Sequence, residues 1–237
     1  GCNYSCTFCT IPLARGTSRS ETIENVIKQA HEIAASGVKE IVLTGVNLGD
    51  FGIRNGKRED HFFDLVKALD EVEGIDRIRI SSIEPNLLTN EIIEFVASSK
   101  HFVPHFHIPL QSGSNKILGL MRRRYRRELY VERVAKIKEV MPDCCIGVDV
   151  IVGFPGETEA DFAATMRLIE ELNFDESYSF VYSPRPGTPA ADLPDETPQE
   201  VKLERLHRLQ AQINQQARKI SQNMVNSVQR VLLEGTS

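Results

Sequence analysis

The sequence predicts an α/β fold of parallel strands joined by helical crossovers, and three features predict it. Short apolar runs of strand length recur along the chain, an amphipathic segment of helical period follows each, and turn residues collect at the strand ends. Two architectures share this pattern: a partial (β/α)6 TIM-like barrel and a doubly wound open sheet. In the barrel the first strand would precede Gly1, and the chemistry would sit at the C-terminal ends of the strands.

Residues 20–36 read as the first helix. Ser20 is its candidate cap, Glu21 and Glu24 suit its positive end, and Gly37 closes it. Ile23, Val26, Ile27, Ala30, Ile33 and Ala34 recur there at helical spacing. Residues 40–44 (EIVLT) suit a buried strand and end in the turn-rich GVNLGDFG. Residues 62–72 form a second amphipathic helix. Residues 77–83 (RIRISSI) alternate as a strand until Pro85 stops it, and Thr89 caps a third helix over 89–98. Residues 106–110 (FHIPL) lead as a strand into QSGS, and helices over 115–121 and 127–140 flank the basic RRRYR segment. Residues 146–154 (IGVDVIVGF) are the strongest strand, PGET opens a helix over 159–172, and residues 177–182 (SYSFVY) are the last strand. After a Pro-rich loop, one polar helix runs from Pro198 to Met224, with Leu203, Leu206, Leu209 and Ile213 as its packing stripe. The expected units are a barrel over 1–197, this long helix over 198–226, and the opening strand of a further module over 227–237.

Of 237 residues, 41% are hydrophobic and 26% charged, ordinary values for a globular protein. Apolar runs such as IVLTGV and VIVGF are far too short to cross a bilayer. The net charge of −5 argues against a dedicated nucleic-acid-binding domain, so any RNA contact must use a local patch. Three of the 5 cysteines share one loop, which points away from a disulfide framework and towards a reducing, cytoplasmic setting.

That loop, GCNYSCTFCTIPLARG, places Cys2, Cys6 and Cys9 in a Cys-x3-Cys-x2-Cys cluster. Three thiolates can hold three irons of a [4Fe–4S] cluster and leave the fourth iron open to a ligand. Structural zinc usually needs a closing Cys or His pair, and the first histidine after the loop is His31, inside a helical stretch. Free thiols are the third reading. Cys144 and Cys145 are neighbours in a strand, pointing to opposite faces, and read as structural.

The cluster loop resembles that of the radical S-adenosylmethionine (SAM) enzymes, and CNYSCTFCTIPLARG is similar to the methylthiotransferase branch. The resemblance extends through TGVNLGDFG, RISSIEP, HIPLQSGSNKIL, LMRRRY and DVIVGFPGET, nearly the whole chain. It favours the partial barrel of the radical SAM type. It implies that Cys2, Cys6 and Cys9 ligate the cluster and that SAM chelates the open iron through its amino and carboxylate groups. Phe8 matches the aromatic position beside the adenine, where an ordinary core aromatic is the plainer reading.

The strand ends supply the other candidates. Gly45 and Asn47 occupy the place of the element that binds the SAM amino group; the family commonly has an acidic residue where Asn47 stands, and a plain turn is the alternative. Gln111 and Ser112 match polar positions facing the SAM ribose, and Ile151, Val152 and Gly153 match the strand beside adenine. Glu84 at the end of SSIEP would bind a ribose hydroxyl, contact substrate, pair with an arginine, or simply face solvent. Asp149 is a charge in a strand that should be buried, so it either meets a basic partner or points into the barrel towards substrate. His107 is as readily a core histidine as a catalytic one.

Arg122, Arg123, Arg124, Tyr125 and Arg126 form the one dense basic patch, suited to phosphate contact and base stacking or to a solvated helix junction. The resemblance implies replacement of a C–H bond by C–SCH3. A 5′-deoxyadenosyl radical takes the hydrogen, and a second [4Fe–4S] cluster, whose ligands lie outside this chain, provides the sulfur. It implies an electron donor such as flavodoxin or ferredoxin, and a C-terminal RNA-binding β-domain beginning near residue 227. The substrate expected from TGVNLGDFG, SSIEP and MRRRY is carbon 2 of N6-threonylcarbamoyladenosine beside the tRNA anticodon. Sister branches act on isopentenyl-adenosine in tRNA or on a ribosomal-protein aspartate. A cluster-bearing electron-transfer or RNA-binding module that does not cleave SAM is the reading from a different class.

Overall fold

The apolar runs pair side by side in chain order, and all of them run parallel. The computed structural model describes residues 1–233 and residue 235. In sequence these form α1 (Ile11–Arg15), α2 (Ile23–Ala35), β1 (Glu40–Leu43), a small hairpin of β2 (Ile53–Arg54) and β3 (Lys57–Arg58), α3 (Phe62–Asp70) and β4 (Arg77–Ile80). There follow α4 (Asn90–Ser98), β5 (His105–Gln111), α5 (Asn115–Leu120), α6 (Arg127–Val140), β6 (Cys145–Val152), α7 (Glu159–Leu172), β7 (Glu176–Val181) and α8 (Gln199–Asn223). β1 pairs with β4, and β5, β6 and β7 pair in that order. Parallel bridges join β4 to β5, with Ile83 N–H donating to the His107 carbonyl at 3.0 Å and His107 N–H to that of Ser81 at 3.2 Å.

Alternation along each strand decides the architecture. Ile78, Ile80, Phe106, Ile108, Val148 and Val150 are fully buried beneath the helices, whereas Arg77, Arg79, His105, His107 and Asp149 alternate with them on the opposite face. A doubly wound sheet would bury both faces. Here only one face is covered, by helices that pack in sequence: α2 on α3, α3 on α4, α4 on α6, α6 on α7 and α7 on α8. The result is a partial barrel with a polar lumen. No helix among the described residues is long and apolar enough to cross a membrane.

Capping chemistry fixes the helix starts. The Thr158 side chain accepts from Asp161 N–H while the Asp161 carboxylate accepts from Thr158 N–H, a complete capping box at α7. Asp161 also accepts from Lys116 Nζ at 2.9 Å and Ser114 Oγ at 2.7 Å, which ties α5 to α7. Burial works against this carboxylate's charge, but the bonds from Thr158, Lys116 and Ser114 prevail and hold it well below the usual carboxylate range. A depressed pKa contributes stability above the unfolded value near 3.9, and that contribution is lost as pH falls towards the folded value. Asp161→Asn is therefore expected to cost about 3 kcal/mol at neutral pH, with the gap to wild type narrowing below about pH 4. Urea titrations at pH 7 and pH 3 check this.

Two expectations are corrected. The first helix is capped by Thr22, whose hydroxyl accepts from Asn25 N–H at 3.1 Å; Ser20 instead accepts from Gly52 N–H at 3.0 Å and braces the hairpin. In α8 the buried stripe is Lys202, Arg205, Leu209, Ile213 and Gln216, and Leu203 faces outwards. The two cations can be buried because Lys202 meets Asp195 and Arg205 meets Glu157. Residues 228–233 adopt no strand, and residues 234, 236 and 237 of the segment expected to open a further module lie outside the described residues.

Candidate active site

The cysteine loop is sewn across the C-terminal mouth of the barrel. Thr7 donates from its N–H to the Met121 carbonyl at 3.1 Å and from its hydroxyl to that of Leu120 at 2.8 Å, and its own carbonyl accepts from Ala190 N–H at 2.9 Å. Asn86 Nδ2 donates to Tyr4 Oη at 2.7 Å. The Arg124 guanidinium lies 4.0 Å from the centre of the Tyr4 ring. Four turns and helix ends thus hold a short loop that has little regular structure of its own.

All three thiols are free, and hydrogen-bond donors are aimed at two of them. Tyr4 N–H donates to Cys2 Sγ at 3.4 Å, and Arg123 Nη1–H donates to Cys6 Sγ at 3.3 Å. Burial pushes the Cys6 thiol up, and Arg123 opposes that by favouring the thiolate. Among the described residues no three Cys, His, Asp or Glu side chains converge closely enough to hold a single ion. Separate thiolates spread over one loop suit a multi-iron cluster, where each sulfur holds its own iron. Cys144 and Cys145 contrast with them: burial pushes both thiols up to about 12, so they stay protonated.

Beside the loop, Gly45 and Asn47 line a cavity of about 220 Å³ whose other wall includes Gly1 and Ser18. Both polar atoms of the Asn47 side chain are buried without a hydrogen-bond partner among the described residues. Such orphaned atoms are costly, and they fit a site shaped for a polar ligand group. Phe8 is half-buried and packs edge-on to Phe154, with ring centres 6.5 Å apart, in the cluster that includes Ile151.

Gln111 ends β5 in the left-handed region, with φ of +64° beside a break in strand register. The Tyr125 hydroxyl pins this bulge at the Pro109 and Leu110 carbonyls, 2.7 and 2.8 Å away. A non-glycine residue held there is strained, and strain of this kind collects at binding sites.

Several candidates turn elsewhere. Ser112 is fully buried against Thr165 and Ser114, so it braces a loop and does not face the mouth. Val152 belongs to the helix-side core. Gly153 has φ of +68°, and a Cβ there would lie 2.5 Å from Lys202 Cγ, so its smallness serves α8 packing. In the basic patch, Arg123 and Tyr125 point inwards and Arg124 stacks on Tyr4, which leaves Arg122 and Arg126 as the exposed cations without such a partner. A surface stacking role for Tyr125 is thereby corrected. Glu84 pairs with Arg123 at the mouth.

The lumen is layered. At its base Glu40 pairs with Arg77 at 2.9 Å and with Arg79 at 3.3 Å. Above them His107 Nε2 and Asp149 Oδ1 lie 2.9 Å apart, so Asp149 has both a basic partner and a place in the barrel. On β7, Tyr178 stands beside Asp149 in this same layer and Phe180 stands beside Ile151 one step nearer the mouth, each aromatic 56% exposed. These two aromatics were missed from the sequence, although the period-2 pattern of SYSFVY carried the signal.

The family model described as the Radical SAM superfamily matches residues 1–169. A tRNA-2-methylthio-N(6)-dimethylallyladenosine synthase of Saccharophagus degradans is 45% identical over 237 residues, covering 100% of this chain and 52% of the relative. The protein of the same name in Nitrosomonas europaea is 46% identical over 239 residues, covering 100% of this chain and 54% of the relative. The chain spans about half the length of the curated relatives it matches. Among solved structures, a radical S-adenosylmethionine methyltransferase from Kitasatospora setae superposes with a TM-score of 0.67 at 17% identity, covering 81% of this chain and 37% of that one. Coproporphyrinogen III oxidase from Escherichia coli gives 0.64 at 19% identity, covering 91% and 50%. At such identities the structural likeness speaks for the fold alone.

Proposed function

The chain belongs to the radical SAM superfamily, and from that premise we propose that it is the catalytic barrel of a tRNA methylthiotransferase whose substrate is N6-dimethylallyladenosine. The observation that carries the substrate is the 45–46% identity, along the whole chain, with synthases named for that nucleoside. This is the sister branch described above as isopentenyl-adenosine, and it replaces the threonylcarbamoyl reading. The lumen supports it: Ile151, Tyr178 and Phe180 offer an apolar and aromatic wall to an alkylated base.

When bound, the cluster and SAM supply the one-electron chemistry that lets a C–H bond be replaced by C–SCH3. Cys2, Cys6 and Cys9 would hold three of the irons. The orphaned Asn47 amide and Gly45 would receive the SAM amino group, Gln111 the ribose, and Phe8 with Ile151 the adenine. His107 and Asp149 would orient the substrate base through its edges, while the half-closed lumen excludes water from the reacting carbon. Exposed Arg122 and Arg126 would meet tRNA phosphates near the anticodon.

The test is methylthiolation of anticodon stem–loops carrying either N6-dimethylallyladenosine or N6-threonylcarbamoyladenosine by the intact protein with a flavodoxin or ferredoxin reductant. Product is expected from the dimethylallyl RNA; product from the threonylcarbamoyl RNA alone would overturn the reading. Base stacking on an aromatic is worth about 1–3 kcal/mol, so Phe180→Ala is expected to lower kcat/KM roughly tenfold or more in steady-state assays of that RNA.

A further inference from the structure

Arg123 lies between the cysteine loop and the barrel mouth, and no step described so far uses it. We propose that Arg123 is a positioning residue that raises the reduction potential of the cluster held by Cys2, Cys6 and Cys9, acting through Cys6, while Glu84 lowers it. The inference rests on reading that loop as a cluster site.

The Arg123 side chain is only 5% exposed, and each of its edges is committed. Nη1–H donates to Cys6 Sγ at 3.3 Å, Nη2–H donates to the Glu84 carboxylate, and Nε–H donates to Tyr125 Oη at 3.3 Å. Tyr125 is itself fixed, because its hydroxyl is held by the Pro109 and Leu110 carbonyls. The guanidinium therefore cannot swing away from the sulfur. A planar fork with several fixed donors can make these three contacts at once, whereas the point charge of a lysine cannot.

Reduction adds one negative charge to the cluster, part of it on the ligand sulfurs. A hydrogen bond to such a sulfur and a buried cation beside it both favour the reduced form, and so raise the potential. Burial keeps this effect from being screened as it would be in water. The Glu84 carboxylate, on the neighbouring Nη2 of the same guanidinium, offsets part of the positive charge. The pair is a dipole with its positive end aimed at Cys6. Removing either partner should move the potential, and in opposite directions.

The experiment is a redox titration of the intact protein followed by electron paramagnetic resonance, reading the cluster signal that changes when SAM is added. Arg123→Gln is expected to lower the one-electron reduction constant at least tenfold, which is about 59 mV. Glu84→Gln is expected to raise it. An unchanged midpoint in Arg123→Gln at full iron content would overturn the proposal, as would an unchanged or lowered midpoint in Glu84→Gln. Should Arg123→Gln fail to hold its iron, Glu84→Gln decides alone. A purely packing role for Arg123 would lower stability and leave both midpoints where they are. A wild-type protein with no SAM-sensitive signal would instead sink the cluster reading itself, a distinguishable result.

Discussion

Alanine at Cys2, Cys6 or Cys9 is expected to reduce SAM cleavage to the background of iron-free protein, while alanine at Cys144 or Cys145 leaves it intact. The difference lies in thiolate character and placement. The first three cysteines share one loop across the barrel mouth, and two of their sulfurs already accept hydrogen bonds from Tyr4 and Arg123. Cys144 and Cys145 sit at the opposite, N-terminal end of β6, and burial pushes their thiols up to about 12. A metal ligand must be deprotonated, so these two are poor ligands at neutral pH. Anaerobic iron and sulfide analysis checks the contrast, with about four irons expected per site in wild type and in the Cys144 and Cys145 variants. Retention of the site's iron in Cys6→Ala would refute the assignment.

Arg205→Ala is expected to destabilise the protein by about 3–5 kcal/mol, the usual cost of leaving one partner of a buried ion pair alone. Arg205 Nη1 donates to Glu157 Oε2 at 2.8 Å, and both side chains are almost wholly buried. The orphaned carboxylate would be Glu157, which burial already pushes up and which Gly153 N–H and Arg205 stabilise in its charged form. Glu157 Oε2 also accepts from Gly153 N–H at 2.8 Å, so the pair fixes the turn just beyond Ile151. The loss should therefore extend to SAM affinity. Paired Glu157→Gln and Arg205→Met changes should recover much of the stability, because a neutral pair is cheaper to bury than a lone charge. Denaturant titration of the single and the double variant measures this, and equal destabilisation in the two would count against it.

Local chemistry made most of the fold legible. α7 spans the expected residues 159–172 because its capping box is written in four adjacent positions, Thr158 to Asp161. The start of α2 was misplaced because Ser20 and Thr22 are equally good caps, and only the fold shows that Ser20 is taken by Gly52. The cysteine loop was legible for a similar reason, since its three cysteines lie within eight positions. What failed was long-range. Nothing in RRRYRR says that Arg123 turns inwards to residues 39 and 117 positions away. Gly153 is small for Lys202, which lies on a helix outside its own motif. Lys202 and Arg205 look like a solvated face until Asp195 and Glu157 are found beneath them. The substrate branch was not legible because the motifs used for it lie at the cysteine loop and the strand ends, whereas under the proposed function the base would meet lumenal side chains such as Tyr178 and Phe180.

Nucleoside mass spectrometry of tRNA from cells lacking the gene for this chain tests the central claim most directly. The proposed function predicts loss of 2-methylthio-N6-dimethylallyladenosine and accumulation of N6-dimethylallyladenosine, restored by wild type and not by Cys6→Ala. Unchanged levels of that nucleoside, or loss of the threonylcarbamoyl product in its place, would contradict it.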